Sequence, residues 1–229
     1  MQRRLYGAGR WLHTLAWLLA TMATPSSYTA QARQAIAHRL WYDTWLCLPG
    51  FALLTTLSSL VLLRISTTTA QRYGLATFAV ETIVRVVVQE LIPLLAALFV
   101  ALRYAPSARH TMALRSQRTA ADIWRHGLLP HAIGAIGATL VLVVVASALV
   151  LSLAYIDVYG LSPWGFAEFT RLIGALFDLP TSLGLALRTA FFSLAVASLP
   201  LSANTDAGLT PLFLLLLALE AASLTLRYV

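Results

Sequence analysis

Residues 86–103, VVVQELIPLLAALFVALR, hold one carboxylate, Glu90, in an otherwise aliphatic run, with Pro93 three positions on. An ionised side chain in hydrocarbon costs about 2.5–3.5 kcal/mol on insertion scales. A group carrying that cost either pairs with a neighbour and fixes packing, or lines a polar-mouthed cavity, here one open to the outer leaflet. The residues alone leave both readings open. Upstream, Glu81, Arg85 and Gln89 recur every four positions, which in a regular helix puts them on one face. Glu90 lies about 100° around from that stripe. Pro93 has no N–H for the carbonyl of Gln89, and its ring bends the helix. An unpaired carbonyl and a carboxylate are therefore expected at one kink. Arg85 and Arg103 suit the two membrane boundaries, since the run between them spans about 27 Å, close to a hydrocarbon core. Glu90 then sits about 7.5 Å inside the outer boundary.

Other chemistry is sparse. The histidines at 13, 38, 110, 126 and 131 lack ligand spacing, so no metal is expected. Cys47 is the single cysteine, which rules out an intrachain disulfide and suits packing. The sequence has no phosphate-cradling glycine loop, so ATP use through a P-loop is excluded. No nucleophile–base arrangement stands out, and an enzyme is the weakest class. Glu220 is a second acid in an apolar run. Glu90 and Glu220 could serve as the proton relay of a secondary transporter. Inverted halves would favour that alternative, and none is visible. A non-transporting membrane anchor subunit is a further alternative.

Composition decides the broad class. The chain has 229 residues, 59% hydrophobic and only 11% charged, with a mean hydropathy of +0.77. Soluble domains carry roughly 25% charged residues, so this is an integral membrane protein. All 16 basic residues are arginine, and the net charge is +7. Because those arginines flank apolar runs, headgroups and the positive-inside rule account for them better than nucleic acid does.

The elements that must position Glu90 follow from the apolar runs. Residues 1–32 have the basic, apolar, small-residue order of a signal peptide. However, the apolar stretch 11–23 carries His13 and Thr14 and stops before Pro25. That length suits an interfacial amphipathic helix, placed at 8–23, with Trp11 and Trp17 at headgroup depth. Spans are expected at 46–63, 83–102, 132–154, 183–201 and 211–226. Pro49 and Gly50 suggest a bent start to the first, and residues 64–82 read as a polar loop. A short apolar piece, 166–177, sits in the acidic loop before the fourth span, which is interrupted early by Arg188. Gly134 and Ala138 form a small-xxx-small pair suited to close helix packing. The expected fold is all-α: one helical-bundle domain over 1–229, with five transmembrane helices behind the interfacial helix. Arginines cluster before the first span and after the second, and acids after the third. This puts the N-terminus in the cytoplasm and the C-terminus outside.

QELIPLLAALFVALR, residues 89–103, resembles the R-E-L-G-P-V…G-R signature of the MlaE family, including the spacing from Glu90 to Arg103. These are permease subunits of ABC transporters that work with MCE-domain proteins. GAGRWLHTLAWLLA is similar to the family's N-terminal amphipathic helix, and AHRLWYDTWLCLPGFALL to its approach to the first span. FDLPTSLGLALRTAFFS resembles the D-L…K-S-x-x-F segment, with Arg188 for Lys. LALEAASLTLRYV resembles the closing L-x-L-D-F-x-L-T segment, with Glu220 for Asp. Gln89 stands where the family usually has Arg, and Ile92 where it has Gly. The stretches ARHTMALRSQRTAADIW and SANTDAGLT are shorter than their counterparts.

The resemblance implies a multi-pass protein of the bacterial inner membrane with a periplasmic C-terminus. It implies a homodimer, or with these departures a heterodimer, bound to two ABC ATPase subunits and capped by a ring of MCE-domain protein. ATP and Mg belong to the ATPase, and no cofactor is expected in this chain. Phospholipid would sit in an outward-facing cavity between two permease copies, touching Tyr73, Gln89, Glu90 and Leu91. Arg85, one turn up, would offset the Arg lost at 89. Residues 108–120 correspond to the coupling helix, with Arg109, Arg115 and Arg118 toward the ATPase. A positive-inside anchor is the alternative role for those three.

Overall fold

The computed structural model describes residues 30–73, 81–82, 84–113, 129–160 and 162–197. Every regular element among them is helical. Helix α1 is Ala30–Arg72. A π-helical stretch, Val84–Leu91, runs directly into α2, Ile92–Ala113. Helix α3 is Leu129–Tyr159, α4 is Phe166–Leu176 and α5 is Leu179–Ala197. Four of these are long and apolar enough to cross a membrane: Ile36–Ala70, Val84–Arg103, Ala132–Tyr159 and Leu179–Ala197. Only helices can form from isolated runs of this kind, because each must satisfy its own backbone in lipid.

Large apolar side chains face outward as well as inward. Leu53 and Val144 are 65% and 68% exposed. That distribution would be unstable in water and is ordinary where acyl chains are the solvent. Trp41, Tyr42 and Trp45 are also exposed, and the two indoles stack with centroids 5.6 Å apart. They form an aromatic band at the start of the first span, the position such rings favour at a headgroup boundary.

Helix α1 exceeds the expected first span at both ends. Its 43 residues extend about 65 Å, roughly twice a hydrocarbon core. It runs on through Pro49. The polar loop expected over 64–82 is helical as far as Arg72, and the local reason is visible. The hydroxyls of Thr67, Thr68 and Thr69 donate to the carbonyls of Leu63, Arg64 and Ile65 at 2.8, 2.6 and 2.8 Å. Each threonine thus spends its polar group on its own helix instead of breaking it.

The core lies where α1, α3, α2 and α5 meet, with Phe51, Leu63, Val88, Ile92, Leu142 and Phe192 fully buried. The most extensive helix pair is α1 with α3. Gly134 and Ala138 are both buried on α3, as the small-residue pair predicts. A close approach lies beside Ala138, where a Cβ on Gly137 would collide with Leu40 Cδ1. Gly50 of α1 similarly admits Phe99 of α2, whose ring also meets Phe51 at 5.5 Å.

The connection between α3 and α5 is a built corner. Gly160 has φ +65°, and its N–H donates to Ile156 O at 3.0 Å, ending α3 in a left-handed turn. Tyr155 Oη donates to Ser162 O at 2.6 Å. The rings of Tyr155, Tyr159 and Phe169 pack at 5.3–6.0 Å, holding α4 against the end of α3. Asp178 Oδ1 accepts the N–H of Leu179 at 2.7 Å, satisfying one of the donors that the first turn of α5 leaves open. The short apolar piece expected at 166–177 is therefore a packed helix. The interfacial helix expected at 8–23 and the span expected at 211–226 lie outside the described residues.

Gly137→Leu is expected to lower stability by about 1–3 kcal/mol through overpacking. Leu40→Ala in the same chain should recover most of that loss. Thermal unfolding of the purified protein in detergent checks both.

Candidate functional site

Glu90 lies in the π-helical segment, one residue before its end. The reason for the widened turn can be read from which side chains are buried. Below it, the inward pairs recur every four residues: Ile92 and Pro93, Ala96 and Ala97, Val100 and Ala101. A regular helix would continue that pattern upward to 88/89 and 84/85, burying Arg85. The π-helical stretch inserts one extra residue, so Val87, Val88 and Gln89 are all buried and the next inward residue is Val84. Arg85 is thereby turned outward, and its Nη2 meets Glu81 Oε1 at 3.2 Å in an exposed ion pair.

This changes the stripe expected from four-residue spacing. Glu81 and Arg85 do share a face. Gln89 does not, being only 5% exposed. The physical cause is the rise in residues per turn where i→i+5 bonds replace i→i+4 bonds.

In a regular helix Pro93 would leave Gln89 O without its donor; here that carbonyl takes one from another helix. Arg188 Nη1, from α5, donates to Gln89 O at 2.7 Å. The unpaired carbonyl expected at the kink is thus paired, and by a charged donor, which makes a short and strong bond. Arg188 is half-buried, beside the buried face formed by Thr189, Phe192, Ser193 and Val196. Two polar features of two apolar helices therefore converge.

The other expected site residues are placed less closely. Glu90 and Leu91 are half-buried at the lower end of the widened turn. Tyr73 ends α1, its N–H donating to Ala70 O at 3.1 Å and its side chain 76% exposed. Arg109 belongs to α2 by its backbone, as do residues 108–113 of the expected coupling segment. Arg115, Arg118 and Glu220 lie outside the described residues. Arg188 was not among the expected site residues. Its signal was available all the same: a lone cation inside LPTSLGLALRTAFFSLAVA, in a chain where a proline frees a carbonyl within another span.

This arrangement joins two packed apolar helices through one charged donor and one backbone carbonyl. Among the described residues, four apolar spans packed around a polar contact between helices define a polytopic helical membrane protein. The family model described as Permease MlaE matches residues 36–210, which take in all four described spans. The chain belongs to the MlaE permease family, the membrane subunits of ABC-type lipid transport systems, which are not themselves enzymes. Comparison with curated proteins and with solved structures returns no match.

Deleting Leu91 removes the extra residue and restores four-residue spacing between Val87/Val88 and Ile92/Pro93. That chain is expected to accumulate, with a midpoint below the parent's because Pro93 then frees Val88 O instead of Gln89 O. Deleting Leu98 from the regular part of α2 turns the whole upper half by about 100°, and should abolish folded protein. Monodisperse yield and thermal unfolding in detergent compare the two.

Proposed function

We propose that this chain is the membrane half of an ABC transporter of the bacterial inner membrane. It moves phospholipid or a related lipid between that membrane and a conduit of MCE-domain protein. The observation that carries this reading is the family match over residues 36–210. The half-buried carboxylate at a widened helical turn agrees with it, since such turns recur at functional sites and intramembrane acids mark substrate paths.

In this reading the chain is one domain of five spans, 211–226 being the last, behind an interfacial helix at 8–23. The N-terminus is cytoplasmic and the C-terminus periplasmic. Two copies pair as a homodimer, and lipid lies between them, its acyl chains against the apolar walls. Glu90 and Leu91 face the headgroup region with Gln89 beside them, and Arg85 and Tyr73 stand nearer the mouth. Glu90 accepts hydrogen bonds from an amine-bearing headgroup. ATP and Mg are bound and turned over on separate ATPase subunits. Residues 108–120, with Arg109, Arg115 and Arg118, meet those subunits and pass on their closure.

Glu90→Ala is expected to lower lipid transfer in reconstituted vesicles about tenfold, the loss of one charged hydrogen bond, while the complex stays assembled. Arg85→Ala should lower transfer less, as its exposed pair with Glu81 is worth under about 1 kcal/mol. Native mass spectrometry of the intact complex gives the partners and the bound lipid together. A chain that purifies without lipid and without an ATPase would sink this reading.

Reversing Arg109, Arg115 and Arg118 to Glu tests the coupling role. ATPase co-purification should be lost. Retained ATPase with altered membrane orientation would instead identify the three as an anchor.

A further inference from the structure

Pro93 and Arg188 are each unfavourable alone. Proline inside a span removes the N–H that Gln89 O would accept in a regular helix, and an unsatisfied carbonyl away from water is costly. A guanidinium inside an apolar span carries its own penalty. The two lie on different helices. Arg188 and Gln89 are 99 positions apart in the chain, yet the Nη1–O distance is 2.7 Å. Each therefore offsets part of the other's penalty. Their meeting point is also where the helix takes its extra residue, with Gln89 buried and Arg85 turned out just above it.

We propose that Arg188 is a positioning residue: its guanidinium stands in for the amide hydrogen that Pro93 lacks, and it pins the widened turn in the register that keeps Val84 inward, Arg85 outward and Glu90 at the wall. The role follows from helix geometry. The carbonyl of Gln89 sits at the junction between five-residue and four-residue bonding. A donor arriving from α5 holds that junction in place along the helix and ties α2 to α5 at the same level. Lysine in place of Arg188 has a compact ammonium on a shorter reach, without the planar fork, so it replaces the donor only in part. The consequence for transport, that Arg188 sets the position of Glu90 without touching lipid itself, rests on the reading given above.

The test is a double-mutant cycle in the full-length protein, using Arg188→Met, Pro93→Ala and the two together. Pro93→Ala returns an N–H to position 93, within reach of Gln89 O. Arg188→Met alone is expected to lower the thermal midpoint by about 3–12 °C. In the Pro93→Ala background the same change should cost less than half that shift. Register is read separately by labelling Val84→Cys and Arg85→Cys with a membrane-impermeant maleimide; Cys47 is fully buried and adds little background. With Arg188 present, Arg85→Cys labels and Val84→Cys is protected. With Arg188→Met this contrast is expected to shrink, and with Arg188→Lys to be kept in part. A general loss of packing would raise labelling at both positions together.

Equal midpoint shifts in the two backgrounds, or an undiminished labelling contrast in Arg188→Met, would overturn the proposal. If Arg188→Met fails to accumulate, Arg188→Lys against Arg188→Met within Pro93→Ala supplies the same comparison. Neither readout involves lipid transfer. A positive cycle with normal transfer in Glu90→Ala would keep the pin and remove the transport role of the acid.

Discussion

Inside a membrane there is no solvent to accept a stray hydrogen bond, so each backbone carbonyl must find its donor within the protein. This requirement organises the centre of the molecule. Pro93 breaks it for Gln89, and Arg188 restores it from another helix at 2.7 Å. The widened turn, the buried Gln89 and the outward Arg85 all adjoin that bond.

The same requirement explains how three buried threonines are tolerated elsewhere in the bundle. The buried hydroxyls of Thr67, Thr139 and Thr189 each donate to the carbonyl four residues back in their own helix. They use a local acceptor and so place no demand on a neighbour. Arg188 differs, because its polar end reaches across helices. Local satisfaction leaves helices free to be packed by shape, as Gly137 and Leu40 are. Satisfaction across helices fixes their relative height. The bundle contains both kinds, and the second coincides with the intramembrane acid.

For a lipid permease this division of labour is useful. Acyl chains require apolar walls without particular order, which the outward-facing leucines and valines supply. A headgroup requires a few polar atoms at a defined depth. In the lipid-transport reading proposed above, Glu90 within the widened turn is such a group, while most of the helix remains aliphatic. The aromatic corner of Tyr155, Tyr159 and Phe169 holds the short α4 against the end of α3.

Much of this was readable from residue order, because the bilayer imposes one-dimensional rules. Length, apolarity and the placement of arginines determined that the chain is a helical membrane protein, and approximately where four spans lie. The motif around Glu90 and Arg103 pointed to the MlaE family, to which the chain belongs. Pro93 announced a broken bond at Gln89. Four-residue spacing could not announce the cure, since it assumes a uniform helix and so put Arg85 and Gln89 on one face. Whether a helix absorbs a proline by bending or by taking in an extra residue depends on what its neighbours offer to the freed carbonyl. Here the offer came from Arg188, far away in sequence, and only the packing of α5 against α2 brought the two together. In the same way, Thr67–Thr69 looked like a loop in sequence and proved helical, because hydroxyls that can break a helix can also bond back along it. Residue types and periods settled what each segment is; the contacts between segments decided which atoms meet.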